Sequence, residues 1–231
     1  HYPLRRQRQM CIRDSRVSVK IVRELMQEMG LVSIRQDSKG NYDKEMRSYK
    51  NYLNQQFEAT RPNEYWVSDV TFFRYNENNY YICAILDLFS RMVVGYKVGK
   101  VNSTQLVRST FQMAYEGRQP VLPLTFHTDR SGNYRSLTFR MYLKSLNITQ
   151  SFSRAHIPYD NSVMESFFSN LKREELYRTK YRSENEFKKA VDKYMVFYNE
   201  QRPHAKNGYK TPLKKELDFL NKQVLLELKS N

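Results

Sequence analysis

The chain has 231 residues, with 39 Lys and Arg against 24 Asp and Glu, giving a net charge of +15. That length is enough for a full hydrophobic core, and the evenly spread basic excess calls for a long anionic partner rather than a single docking patch. Two distant cysteines, Cys11 and Cys83, exclude a disulfide framework and a cysteine zinc site and fit a reduced cytoplasm, and no apolar run approaches a membrane span.

Residues 1–15 match no element. The run Met10 to Ser15 resembles the translation of a sequencing-library adapter, so this stretch is expected to be artefactual or disordered and is set aside. From Val17 to Gly30, Val19, Val22, Met26 and Met29 recur at three- and four-residue steps, predicting an amphipathic helix stopped by Gly30. With Leu31 to Arg35 it reads as the remnant of a helix-turn-helix over 16–35. Residues 36–60 are polar and read as a linker, with a short helix expected near Met46–Leu53.

A core is expected over 61–200. Trp66 to Arg74 and Tyr80 to Phe89 are β-branched and aromatic, and the turn residues Tyr75 to Asn79 join them as a hairpin. Arg91 to Val101 is a third strand. Ser103 caps a helix carrying Leu106, Val107, Thr110, Phe111 and Ala114, which is expected to end at Gly117. Val121 to His127 is a fourth strand that runs into Asp129 to Tyr134. Leu137, Met141 and Leu146 mark a helix, and Ile148 to Ser153 a fifth strand. Pro158 and the Asp160-Asn161 pair lead into a helix with Val163, Phe167 and Leu171 on one stripe. Ser183 starts a long helix with Phe187, Val191, Tyr194 and Tyr198 on one face, and 201–231 is a C-terminal tail. Three antiparallel-type strands followed by strands alternating with helices predict an α/β fold, a mixed sheet flanked by helices.

Three carboxylates stand out by position. Asp69 interrupts an apolar strand, Asp129 sits where the fourth strand gives way to a turn, and Glu165 lies early in its helix beside the apolar stripe. Asp87, close to Ser90 and Arg91, suits a structural cap, and His127 suits a packed strand residue. Lys172, two turns beyond Glu165 on nearly the same side, is a candidate phosphate contact, with Arg130 and Arg154 as weaker ones and Arg202 in a turn that also fits DNA.

Trp66-x-x-Asp69-x-Thr71, Asp87-Leu-Phe-Ser-Arg91 with Gly95, His127-Thr-Asp129-Arg-Ser-Gly132-x-Tyr134 and Pro158-Tyr-Asp160-Asn161-x-x-x-Glu165, continued by Lys172-x-Glu174, form an ordered series. Tyr198-Asn199-x-x-Arg202-Pro203-His204 and Thr211-Pro212 extend it. Together they resemble the insertion-sequence-three transposases, the OrfB-type members of the DDE transposase and retroviral-integrase superfamily, over about residues 17–215. Ala155-His156-Ile157 and Lys206-Asn207 depart from the family pattern without removing a carboxylate.

The resemblance implies an RNase H-like (integrase core) fold with a mixed five-stranded sheet and a truncated helical N-terminal appendage. It also implies a metal-binding triad of Asp69, Asp129 and Glu165 holding Mg²⁺ or Mn²⁺, as two ions, for DNA cleavage and strand transfer. Expected partners are element-end and target DNA, further copies of the chain on DNA and an upstream-frame OrfA-type protein, in a bacterial, nucleoid-associated cytoplasmic setting with no membrane. Two other readings stay open: a decayed DNA-binding remnant and an RNase H-like nuclease. DNA affinity is expected to fall by about one log unit per log unit of salt for each phosphate neutralised, checked by filter binding across a salt series.

Overall fold

The computed structural model describes residues 18–30, 49–155 and 157–230. The expectations for residues 1–15 and for Leu31 to Arg35, and most of the linker reading, lie outside them. The chain divides into two compact units, 1–49 and 50–231. In the first, helix α1 spans Val19–Glu28, with the Ser18 hydroxyl accepting from the Ile21 amide as an N-cap. Gly30 then takes a left-handed φ of 63° just past the helix.

The second unit is built on a five-stranded sheet in the order β3-β2-β1-β4-β5. Strands β1 (Tyr65–Tyr75), β2 (Asn78–Asp87) and β3 (Val93–Gly99) form an antiparallel meander. Asn76 and Glu77 both adopt left-handed φ, as a two-residue hairpin following the strand twist requires. Helix α2 (Thr104–Arg118) crosses back, capped by Ser103. Its approach to the sheet depends on Gly95, where a Cβ would lie 2.7 Å from that of Ala114. Short strands β4 (Thr125–Thr128) and β5 (Thr149–Phe152) add in parallel, separated by helices α3 (Gly132–Arg135) and α4 (Leu137–Ser145). Helix α5 (Ser162–Leu171) runs into a π turn at Lys172–Leu176, and α6 (Glu184–Glu200) and α7 (Pro212–Ser230) follow.

Alternation along β1 splits the core. Val67 faces Met164, Phe167 and Leu171 of α5 and Val191 and Tyr198 of α6, while Trp66 faces Phe111 of α2. Phe111, Phe126, Tyr134 and Phe139 complete that second layer edge to face.

Several local expectations change. The described end of the segment expected to be helical near Met46–Leu53 is a turn, with Asn54 and Gln55 at positive φ. Helix α2 passes through Gly117 and ends at Gln119, whose φ is 40°. In α4, Leu137 and Met141 are exposed and Phe139 and Leu143 carry the buried face. Strand β4 begins only at Thr125. The cap expected from the Asp160-Asn161 pair is also different, because neither side chain caps α5.

Asp160 instead ties three segments together. Its carboxylate accepts from Asn51 Nδ2 (2.8 Å), Gln55 Nε2 (2.7 Å) and, on Arg154, the backbone amide, Nε and Nη2 (2.8–3.0 Å). Burial alone would raise this carboxyl, but the Arg154 bonds, with Gln55, hold it well below the usual range. His127 is also structural. It is fully buried, bonds Ser151 and Ser153 through its two ring nitrogens, and meets the Asp160 carbonyl. Burial pushes its pKa down to about 4, so it stays neutral.

Replacing Asp160 by Ala orphans these donors and is expected to cost about 2–3 kcal/mol in urea unfolding at pH 7. Because the folded pKa is depressed, the wild type's advantage exists above the unfolded carboxyl pKa and should shrink as pH falls below about 4.

Candidate active site

Two strands set the site by their register. β1 and β4 pair in parallel from Tyr65 with Thr125 to Ser68 with Thr128, and the next residues along each are Asp69 and Asp129. Two carboxylates thus emerge side by side where adjacent parallel strands end their pairing, the position where α/β sheets present ligand-binding groups. Glu165 comes from the first turn of α5, which packs on β1. Met164, Phe167 and Phe168 are buried around it.

The acids feel one another. Asp69 is pushed up to about 7, first by burial, then by the negative charge of Asp129, and further by Glu165, against the opposing pull of the Val70 amide and of Lys172. Its Oδ1 accepts from the Val70 amide at 2.7 Å, and Asp129 Oδ1 accepts from the Ser131 amide at 3.0 Å. Both partners are backbone donors, and among the described residues no cationic side chain bonds either acid. Asp69, Glu165, Ser169, Lys172, Arg173 and Tyr177 line a groove of about 470 Å³. Burial lowers the Lys172 ammonium pKa, and Asp69 opposes that shift.

Beneath the acids runs a buried tie. Ser68 Oγ lies 2.8 Å from Tyr134 Oη and donates to the Ala84 carbonyl at 2.9 Å. Ser68 precedes Asp69, and Tyr134 belongs to the short helix after Asp129, so this contact joins the two acid-bearing segments. Sequence reading passed over Ser68; the small polar residue facing an otherwise apolar layer was its only signal.

The expected basic contacts separate. Lys172 stands in the groove. Arg154 pairs with Asp160 at 2.9 Å, and Arg202 forms a two-pronged pair with Glu174, which also accepts from Tyr194. Arg130 Nε donates to the Ser153 carbonyl at 2.6 Å. Asp87 is structural as expected: it accepts from the Phe89 and Asn63 amides and lies 3.5 Å from Arg118.

The donor set fits a hard divalent cation, since it offers carboxylate oxygens whose mutual repulsion a cation would relieve. Among the described residues, however, no three His, Cys, Asp or Glu side chains are already gathered into a cage able to hold an ion.

This five-stranded mixed sheet with helices packed on it is an RNase H-like fold. Integrase core domain families match residues 59–158 and 146–212. The transposase for insertion sequence element IS904 of Lactococcus lactis is 34% identical over 201 residues, covering 84% of this chain and 79% of that protein. The putative transposase InsK for IS150 of Escherichia coli is 34% identical over 178 residues, covering 74% of this chain and 63% of that protein. Among solved structures, the HTLV-2 integrase catalytic core in complex with magnesium superposes with a TM-score of 0.54 at 21% identity, over 68% of this chain and 98% of that one. A simian T-cell lymphotropic virus intasome gives 0.59 at 22%, over 69% of this chain and 56% of that one. The chain belongs to the IS3-type transposases with an integrase core, a family of DDE polynucleotidyl transferases.

A raised Asp69 pKa means that the folded state binds the proton more tightly than the unfolded chain, so metal-free stability falls as pH rises from about 4 to about 7. Asp69→Asn removes that charge and is expected to raise the metal-free melting temperature by about 5 °C at pH 8 and by little at pH 4. Calorimetry at the two pH values checks it.

Proposed function

We propose that this chain cuts and joins DNA strands at the ends of a mobile element, with Asp69, Asp129 and Glu165 holding Mg²⁺ or Mn²⁺. The observation that carries this reading is the β1–β4 register, which delivers Asp69 and Asp129 together from positions 60 residues apart in sequence. When bound, two such ions would activate the attacking water or 3′-hydroxyl and offset charge on the departing oxygen of an in-line displacement.

The protein's own part is positional. β1 and β4 fix two acids on the sheet, where the backbone amides of Val70 and Ser131 orient one oxygen of each. The rigid face of α5, buried through Phe167 and Leu171, aims Glu165 from the side. Burial and mutual repulsion hold Asp69 poised to exchange its proton for a cation near neutral pH. Lys172 is the proposed phosphate contact at the groove. Arg130, whose Nε donates to the neutral Ser153 carbonyl, would lend positive potential to its surroundings, whereas Arg154 and Arg202 would have to share their charge with Asp160 and Glu174 to meet a phosphate.

The proposed partners are element-end and target DNA, further copies of the chain that bring two ends together, and an OrfA-type protein from the upstream frame. The proposed setting is the bacterial nucleoid. No described helix is long and apolar enough to cross a membrane.

Asp69→Asn, Asp129→Asn and Glu165→Gln are each expected to reduce Mg²⁺-dependent joining of terminal-repeat DNA by about a thousand-fold or more while preserving DNA binding. Full joining by any of the three would remove that residue from the triad. DNA binding by the wild type with no joining under any metal condition would mark a decayed remnant.

A further inference from the structure

The groove has two aromatic neighbours that its acids do not explain. Phe72 is 58% exposed, and Tyr177, whose ring lies 6.2 Å from that of Phe73, is still 70% exposed. On the same strand as Phe72, Phe73 and Tyr75 are stacked against Phe187, so β1 has an apolar layer available and Phe72 points away from it. Leaving a large ring in water forgoes its burial energy, and what distinguishes these two from the other exposed apolar side chains is that both border the acidic groove at Lys172.

Their placement follows from the backbone. Beyond Ser68, β4 no longer pairs with β1, so the stretch carrying Val70, Thr71 and Phe72 borders an open edge among the described residues. On the opposite side, α5 widens into its π turn, where the Tyr177 amide bonds the Lys172 carbonyl at 2.9 Å. Lys172 connects the two rings: its Nζ lies 5.5 Å from the Phe72 ring centroid, and it lines the groove together with Tyr177, Asp69 and Glu165. Arg173 adds a second positive charge to the same lining.

Flat aromatic faces flanking ammonium and guanidinium groups match one chemistry well. A nucleotide offers a π-face for the ring and a phosphate for the cation, and stacking accepts every base. A hydrophobic protein surface would use the rings but would have to desolvate Lys172 and Arg173.

We propose that Phe72 and Tyr177 form a nucleobase subsite beside the acidic groove, stacking a base next to the reacting phosphodiester while Lys172 meets its phosphate. This rests on the groove being the site of strand cleavage, and the test below keeps the two apart.

The test uses the 231-residue chain without metal, so that binding is read without cleavage. Frayed-end DNA carries 2-aminopurine at successive positions. Wild-type protein is expected to quench emission at one or two adjacent positions. Phe72→Ala and Tyr177→Ala should each remove that quenching and weaken binding by about ten-fold, while Phe72→Trp keeps both. Lys172→Ala should retain the quenching and lower the salt slope by about one. Emission unchanged in both alanine variants overturns the subsite, and if the wild type still joins DNA the groove's assignment stands. Quenching lost in the variants from a wild type that never joins DNA supports the subsite and sinks that assignment. If the alanine variants only dissolve a self-associated species in sedimentation, the rings are a contact between copies and the proposal is refuted.

Discussion

The short parallel pairing of β1 with β4 is the constraint on which the rest depends. It lasts four residues on each strand and stops at Ser68 and Thr128. Hydrogen bonding on both edges locks those residues; just beyond them Asp69 keeps a partner only on its β2 side, Ala84, and Asp129 leaves the sheet. That is how a carboxylate can be both fixed in place and open to a ligand. Were the β1–β4 pairing one residue longer, Asp69 would be enclosed between two paired strands. One residue of slip would turn each side chain to the opposite face. The buried Ser68–Tyr134 bond reinforces this register where it matters most.

The carboxylates carry an energetic cost that the surrounding fold offsets. Among the described residues no cationic side chain bonds Asp69, and its proton affinity is raised by burial and by Asp129 and Glu165. Elsewhere in the unit several acids have cationic or hydroxyl partners, and only Asp87 among them is raised, by burial, to about 6, although the Asn63 and Phe89 amides bond it. Asp160 collects amide and guanidinium donors, Glu216 accepts from Arg118 and Ser90, and Glu174 accepts from Arg202 and Tyr194. What sets Asp69 apart is that two other acids add to the effect of burial and that it lines the groove. A carboxyl perturbed in that way fits a site where chemistry occurs.

Much of this was legible in the sequence because the decisive elements follow strong local rules. The β-branched and aromatic runs marked the meander, Ser103 and Ser183 capped the helices they precede, and Phe187, Val191, Tyr194 and Tyr198 proved to be a buried face. The misses have identifiable causes. Leu137 and Met141 read as a stripe because they are apolar and four apart, yet the aromatic layer of Phe111 and Phe126 selected Phe139 instead. The helix expected to stop at Gly117 continued because Arg118 is held by Glu216, a partner 98 residues away that no local rule foresees. For the same reason local sequence could not show that Arg154 and Arg202, read as candidate DNA contacts, pair with the carboxylates of Asp160 and Glu174. Periodicity could not show how near the three acids come, because the strand register that brings Asp69 and Asp129 together is a tertiary fact.

The C-terminal end of α6 and the segment after it are fastened to the start of β3 and the loop before it. Asn199 clasps the backbone of Val93 through both its amide oxygen and nitrogen, Asn207 donates to the Ser90 carbonyl, and Glu216 closes on Ser90 and Arg118. A premature stop codon shortly after residue 200 would keep all three acids and still strip Arg118 and Ser90 of a buried acceptor, leaving Arg118 with only a more distant carboxylate in Asp87. Truncated gene copies of this kind are therefore expected to fail at folding before they fail at chemistry, so an intact acidic trio in a shortened reading frame is poor evidence of a working element.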